Sequence, residues 1–458
     1  MKIKLLGIAL LCLLACSSVM AQQIVGWRTD STGKYLDATP PIEWSAEKNV
    51  VWKTKMPSWS NSTPVLVDDR ILVCSEPTTL VCVSANDGKI LWQRDNTYLD
   101  IVNSDERDKV RKQLEEVDIE NTTKEFRSTR NQLNNAKNKL EKSPDDEELK
   151  QKIAELSKKF EELKAKLAPV DKYVIPETHD VNGYSSATPV SDGKNIYVLF
   201  GTGITACYDM DGNRRWIKML EKPKDVWGHS ASPVLVGDKL LVHINSLVAL
   251  DKETGEIIWQ SEAKPRWGTA FPTRIGDVDV IITPNGDFFR VSDGKQIASN
   301  VSFLEYAGPI VHTGAVSFIQ FGGKSLNLPL EAADTITLEV IWETKPRKER
   351  YYASSVYHED LIYAINQKSF FSVIDGTTGE VVYEKKLKLG KGDVYPSVAL
   401  AGNYLFVSSE DGTTMVLETG LEPKEIATNT LEPFRSCPVF VGKRMYLRGM
   451  EHLYCIGE

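Results

Sequence analysis

The chain has 458 residues, of which 41% are hydrophobic and 26% charged, with a formal net charge of −8. That composition excludes a disordered chain and a multispanning membrane protein. An acidic chain with no basic block is a poor nucleic-acid binder, because phosphate neutralisation dominates that affinity, and seven cysteines are too few for a disulfide-built scaffold of this length.

In chain order, the first element is an address. Lys2 and Lys4 precede an apolar run from Leu5 to Leu14, and Val19-Met20-Ala21 offers an A-x-A-like cleavage site, so residues 1–21 read as a secretory signal peptide. The run is too short for a membrane span, which needs about 20 apolar residues. A second reading takes Leu13-Leu14-Ala15-Cys16 as a lipobox with Cys16 lipidated. Both readings export the chain, to the periplasm or cell exterior, the second as a lipid-anchored outer-membrane protein.

Residues 22–99 hold one lone strand and a first repeat unit. Asn49-Val50-Val51-Trp52-Lys53 has the form of an outer strand with no blade before it. The unit that follows carries a small-residue marker, Ser62-Thr63-Pro64-Val65, and a strand–turn–strand motif from Cys82 through Gly88 to Trp92. The Gly permits the positive φ such a turn demands. Two strands flanking Glu76-Pro77-Thr78 bring Cys74 and Cys82 close enough to consider a disulfide, which export permits.

Residues 100–176 break the repeat. Leu149, Ile153, Leu156, Phe160, Leu163 and Leu167 form a heptad seam, and Phe126, Leu133 and Leu140 recur at spacing seven. These patterns predict two antiparallel helices in a coiled-coil hairpin. The second is capped by Ser143 before Pro144 and runs about 24 residues; the first is irregular around Asn121-Thr122-Thr123. The hairpin leaves from the face that carries the blade-to-blade crossovers. It is either an arm that docks a partner or a solvated decoration whose seam buries only itself.

Over 177–458 the marker recurs with last residues at 190, 234, 273, 310, 356, 398 and 439, spacings near the ~40–50 residues of a four-stranded propeller blade. With the first marker this makes eight units. The turn motif recurs at Cys207, Gly212 and Trp216, at Ala249, Gly255 and Trp259, and at Val373, Gly379 and Tyr383, with a weaker copy at Gly294. Trp52, Trp92, Trp216, Trp259, Trp342 and Tyr383 are expected to wedge between neighbouring blades, where a large flat ring removes much apolar area. The last unit ends after Leu453-Tyr454-Cys455-Ile456, and the lone strand at 49–53 supplies its missing outer strand, which removes an open edge.

The pattern A-x-D-x-x-T-G-x-x-x-W at Ala249, Asp251, Thr254, Gly255 and Trp259 resembles the repeat of the pyrroloquinoline-quinone-like propellers, which include quinoprotein alcohol dehydrogenases and BamB-like outer-membrane assembly lipoproteins. The resemblance covers about residues 44–98 and 178–458. It implies an all-β, eight-bladed propeller with Trp-docked blades, here carrying an inserted helical hairpin, and is almost silent about chemistry.

The dehydrogenases of this resemblance carry adjacent cysteines and acidic calcium ligands beside their cofactor, and this chain has no Cys-Cys pair. No H-E-x-x-H, G-x-S-x-G or phosphate-loop motif occurs. The candidate site is a ring of residues just before the inner strands: Trp59, Tyr184, Trp227, Trp267, Tyr306, Tyr352, Tyr395 and Phe434, with His229, Arg266 and Arg435 beside them. Symmetry places them at one mouth of the central channel, as a ligand or partner rim or as packing that plugs it. The expectation is an exported, non-catalytic module, without a cofactor, that binds envelope proteins through the mouth or the hairpin. The alternatives are a dehydrogenase using pyrroloquinoline quinone with calcium, and a small-molecule or glycan binder.

Overall fold

The computed structural model describes residues 25–457; the leader and Cys16 lie outside the described residues. Eight antiparallel sheets surround a central channel. Blade 1 spans Val65–Asp95, blade 2 Val190–Met219, blade 3 Val234–Ser261 and blade 4 Phe271–Ala298; blade 5 spans Ile310–Thr344, blade 6 Val356–Lys386 and blade 7 Ala399–Thr430. Blade 8 takes three strands from Val439–Ile456 and its outer strand from Val50–Lys55, which pairs antiparallel with His452–Ile456. The inner strands of blades 4 and 7 start at Phe271 and Ala399. The marker positions 273 and 398 are therefore out of register with Val65, by two residues and by one.

The turn motif encodes the joint between blades as well as the blade itself. In blade 3 the Asp251 carboxylate accepts from the backbone N–H groups of Glu253 and Thr254 at 3.0 and 2.8 Å, closing the turn. Gly255 then takes φ +70°, and a Cβ there would lie 2.7 Å from Cδ2 of Trp216 in the preceding blade. The Trp216 indole N–H donates to Lys252 O at 2.9 Å in the same turn. Trp52, Trp92, Trp259 and Trp342 sit in the same way over Gly88, Gly212, Gly294 and Gly379 of the next blade. Three seams lack this lock. Between blades 4 and 5, Ile297 meets Ile336, whose N–H donates to Ile297 O at 2.8 Å. Between blades 6 and 7, Tyr383 is half-buried against the shared core. Between blades 7 and 8, Trp44 stacks on Phe406 at 6.1 Å.

Cys74 and Cys82 are free, buried thiols; Cys74 stands opposite Leu80 and Cys82 opposite Leu72, so neither faces the other. The insert comprises α1 (Tyr98–Ile101), α2 (Ser104–Val117), α3 (Ile119–Leu140) and α4 (Glu147–Leu167). The chain breaks between α2 and α3 at Asp118, whose φ of 50° is left-handed; Thr122 and Thr123 lie inside α3. The cap of α4 is Asp146, which accepts from Leu149 N at 2.9 Å, so the helix has 21 residues and starts later than Ser143. Phe126 and Phe160 stack at 4.8 Å along the α3–α4 seam. The base packs Tyr98, Val110, Leu167, Val170 and Tyr173 on Ile204 of blade 2.

Residues 25–35 occupy the channel itself. Val25 bridges Ser191 antiparallel, whereas Lys34–Tyr35 pair parallel with Leu400–Ala401. Inner strands run away from the crossover face, so this loop rises from the opposite face, turns, and descends. Gly26 and Thr29 exchange backbone hydrogen bonds at its crest. Arg28, only 3% exposed, donates through Nη2 to Ser355 O at 3.1 Å and Val398 O at 2.8 Å. No periodicity in the sequence marks this stopper.

Candidate functional site

The mouth on the crossover face is a cup of about 380 Å³ built in two tiers. The lower tier is the residue two positions before each inner strand: Thr63, Thr188, Ser232, Thr269, Gly308, Ser354, Ser397 and Cys437. Seven of the eight backbone N–H groups in this tier donate to the side chain of the next blade's member. Thr63 N donates to Thr188 Oγ1 at 3.2 Å, Thr188 N to Ser232 Oγ at 3.0 Å and Ser232 N to Thr269 Oγ1 at 3.0 Å. Gly308 N donates to Ser354 Oγ at 2.9 Å and Ser354 N to Ser397 Oγ at 3.0 Å. Ser397 N reaches Cys437 Sγ at 3.4 Å, and Cys437 N donates to Thr63 Oγ1 at 3.1 Å. The ring needs a small side chain with an acceptor atom at every position, and fails only at Gly308, which has no side chain. Trp27, the crest of the stopper, lies against Gly308: a Cβ there would be 3.3 Å from its Cη2. Trp27 also lines the cup floor.

The upper tier is the residue four positions before each inner strand. All eight of these line the cup: Asn61, Ser186, Ser230, Trp267, Tyr306, Tyr352, Tyr395 and Arg435. Blades 4 to 7 therefore present an aromatic half and blades 8 to 3 a polar half. Trp267 stacks on Tyr306 at 5.4 Å, Tyr306 meets Tyr352 edge-on at 4.7 Å, and Tyr352 stacks on Tyr395 at 4.7 Å. Arg435 lies 5.4 Å from the Tyr395 ring and pairs with Glu410 at 2.8 Å.

The rim expected from sequence is thus divided. Trp227, Trp267, Tyr306, Tyr352, Tyr395 and Arg435 line the cup. Trp227 does so from the flanking crossover, stacked on His179 at 4.3 Å. The other five are placed elsewhere. Trp59 packs on Gly183. Tyr184 donates its hydroxyl to Pro176 O at 2.8 Å. Phe434 is buried in the core shared by blades 7 and 8. Arg266 reaches Asn285 Oδ1 at 3.1 Å. His229 is buried with Nε2 3.0 Å from Ala231 O. Trp59 and Tyr184 stand six positions before their strands and meet the crossover between blades 1 and 2, and Phe434 stands five before its strand and enters the core. Counting a fixed offset from each strand start would have found Asn61, Ser186 and Ser230. Glu305, Arg350, Asn182 and Trp27 lie off that count and are legible only in the structure.

Burial holds the Tyr395 hydroxyl up at about 12 and raises that of Tyr306, where Glu305 adds to the effect. These phenols are neutral donors and stacking surfaces, not bases. Burial, with His243 nearby, pushes His229 down to about 4, so it is a neutral ring. The cup lining contains one carboxylate, Glu305, and one cysteine, Cys437. Among the described residues no group of three His, Cys, Asp or Glu side chains is placed to hold a metal ion. This lining does not fit the adjacent cysteines and acidic set of a calcium-held quinone.

The family profile described as outer membrane protein assembly factor BamB matches residues 42–131 and 243–456, more than half of the chain. Compared by sequence, no curated protein matches it. Among solved structures, BamB from Moraxella catarrhalis is similar at a TM-score of 0.55 and 12% identity, covering 89% of this chain and 99% of that one. A europium-containing methanol dehydrogenase aligns at 0.52 and 12% identity, covering 93% and 90%. The quinohemoprotein alcohol dehydrogenase from Comamonas testosteroni aligns at 0.51 and 11% identity, covering 91% and 78%. At these identities the likeness concerns the fold alone.

Proposed function

This chain belongs to the family of the outer membrane protein assembly factor BamB, and from that premise we propose that it is an exported, non-catalytic module of the cell envelope that holds a segment of a partner protein in its mouth. By analogy with the family description, the partner is a component of outer-membrane assembly. The observation that carries this reading is the stoppered cup. The channel is filled from below by Trp27 and Arg28, which leaves a shallow, half-aromatic recess open on one face. Around it stand Val226 and Trp227, each 54% exposed, with Phe303 and Phe321 also exposed. Aromatic anchors beside a recess are the composition of a protein hot spot. No helix among the described residues is long and apolar enough to cross a membrane.

The test is site-specific photo-cross-linking in intact cells, with the reactive residue at Tyr306 and a control at Val382 on the outer rim. The expected result is one discrete envelope-protein adduct from Tyr306 and none from Val382. Equal adducts from both positions would overturn the mouth as the binding face. Oxidation of alcohols or sugars by the purified protein with pyrroloquinoline quinone and calcium would overturn the non-catalytic reading.

A further inference from the structure

The aromatic half of the cup is bordered by cations that have no carboxylate partner. The crossover from blade 5 to blade 6 reads Lys345-Pro346-Arg347-Lys348-Glu349-Arg350. It is a local basic run that the overall charge of −8 conceals, and it corrects the view that the chain has no basic block. Arg347, Lys348 and Arg350 are exposed. Lys348 lies 5.6 Å from the Phe321 ring of blade 5, and Arg266, on the blade 3–4 crossover, lies 5.4 Å from the Phe303 ring on the blade 4–5 crossover. Gln320 ties these two segments together by donating to Phe303 O at 2.8 Å. Arg350 donates to Tyr352 Oη at 3.3 Å, which joins the patch to the cup wall. None of Arg266, Arg347, Lys348 and Arg350 makes an ion pair within 4.0 Å among the described residues. The Glu384 carboxylate accepts from the Arg347 backbone N–H at 2.8 Å, and Glu305 acts on Arg350 through its charge. Two other basic side chains on this face are paired, Arg435 with Glu410 and Lys368 with Asp393.

We propose that this quadrant, over blades 4 to 6, binds an acidic segment of the partner protein that carries one aromatic or long aliphatic anchor. The proposal rests on the protein-binding reading above and names the chemistry of the partner. The anchor enters between Trp267, Tyr306 and Tyr352, where apolar area is removed from water. Carboxylates on either side meet Arg266, Lys348 and Arg350. On an otherwise acidic surface, a patch of unpaired cations sets which segment docks and in what register. Exposed cations already stacked on aromatic rings hold their charge in a fixed place and lose little side-chain freedom on binding.

The probe is a synthetic dodecapeptide rich in Asp and Glu with one central Trp. The controls are the same peptide with Asn and Gln for the acids, and with Ser for the Trp. Binding to the full chain is followed by anisotropy at about 50 mM and about 300 mM salt, since exposed charges separated by more than about 10 Å are screened at the higher salt. The acidic Trp peptide is expected to bind. The Lys348→Glu, Arg350→Glu double variant, changed only at exposed positions, is expected to weaken it about tenfold or more, and high salt about as much. Equal binding of the amide peptide, or an unchanged double variant, would overturn the proposal. Binding of heparin or phosphatidylglycerol vesicles through Lys348 and Arg350, with no peptide binding, would overturn it in favour of an anionic glycan or a membrane. If the acidic peptide fails while the Tyr306 adduct persists, the acidic class falls and the protein-binding reading stands; if both fail, both fall.

Discussion

Trp216 and Gly255 meet across a seam between two blades, and each explains the other. The indole needs a flat, side-chain-free surface, and the turn needs a residue that tolerates φ +70°. Trp216→Ala is expected to cost about 3–5 kcal/mol, the usual range for emptying a large buried aromatic site. Gly255→Ala should also destabilise, because it combines left-handed strain with a Cβ 2.7 Å from the ring. A thermal melt that left both variants at the wild-type midpoint would sink this account. Burial also sets a pH dependence. His229 and His243 are held down to about 4, below the ~6.5 of an unfolded histidine. The folded state therefore prefers both rings neutral. Their contribution is fully present above about pH 6.5 and is lost as pH falls toward 4, on the order of 2 kcal/mol each by pH 5. Denaturant midpoints measured from pH 7.5 to 5 should fall, and the fall should shrink in His243→Gln. The Trp–Gly motif was legible because it repeats in sequence. The cup was legible only in part, because residue type marks the aromatics while the fold sets the upper tier by a fixed offset from the strand. That is why Phe434 enters the core and Trp59 packs on Gly183 while Asn61 and Ser230 line the cup.

Among the elements, the hairpin and the propeller are joined over a small area. The seam of α3 and α4 stacks Phe126 on Phe160 and buries Leu133, and the base, with Leu167 and Val170, reaches blade 2. Phe160→Ala should therefore loosen the hairpin without loosening the ring. Hydrogen exchange should rise several-fold across residues 119–167, while the main melting transition moves by only about 2 °C or less. Leu167→Ala, at the base, should instead lower the main transition, by about 2–5 kcal/mol in stability. The same shift for both variants would mean that hairpin and propeller unfold as one unit. The heptad spacing announced the helices, but their ends were decided by single residues whose backbone the pattern does not report. Asp118 in a left-handed conformation splits the first arm, and Asp146 takes the cap that Ser143 was expected to hold.

At the scale of the whole molecule, the segment before blade 1 does two separable jobs. Residues 25–35 stopper the channel with a backbone in which Arg28, Thr29 and Ser31 all have positive φ. Such a loop has neither a glycine signature at those positions nor any periodicity, so nothing in the sequence foretold it. Val50–Lys55, in contrast, read as a strand without a blade, and it closes the ring. It pairs with His452–Ile456, with Trp52 opposite Cys455, and it sets Trp52 over Gly88 with the indole N–H donating to Ala85 O at 3.2 Å. These jobs can be told apart by truncation. A chain beginning at Asp37 loses the stopper but keeps the closing strand and the Trp52 lock. The left-handed residues cost roughly 1–3 kcal/mol each, and the buried Arg28 has no carboxylate partner among its hydrogen bonds. Losing the loop should therefore shift the melting midpoint by only a few degrees, about 5 °C or less, and deepen the cup. A chain beginning at Met56 loses the outer strand of blade 8 and the wedge into blade 1 together, and leaves the ladder edge of His452–Ile456 open to other chains. It should melt about 10 °C lower or more and aggregate on heating, as scanning calorimetry and light scattering would report. Equal melting of the two truncated chains would mean that the ring is held by its seven complete blades and that the shared eighth blade contributes little.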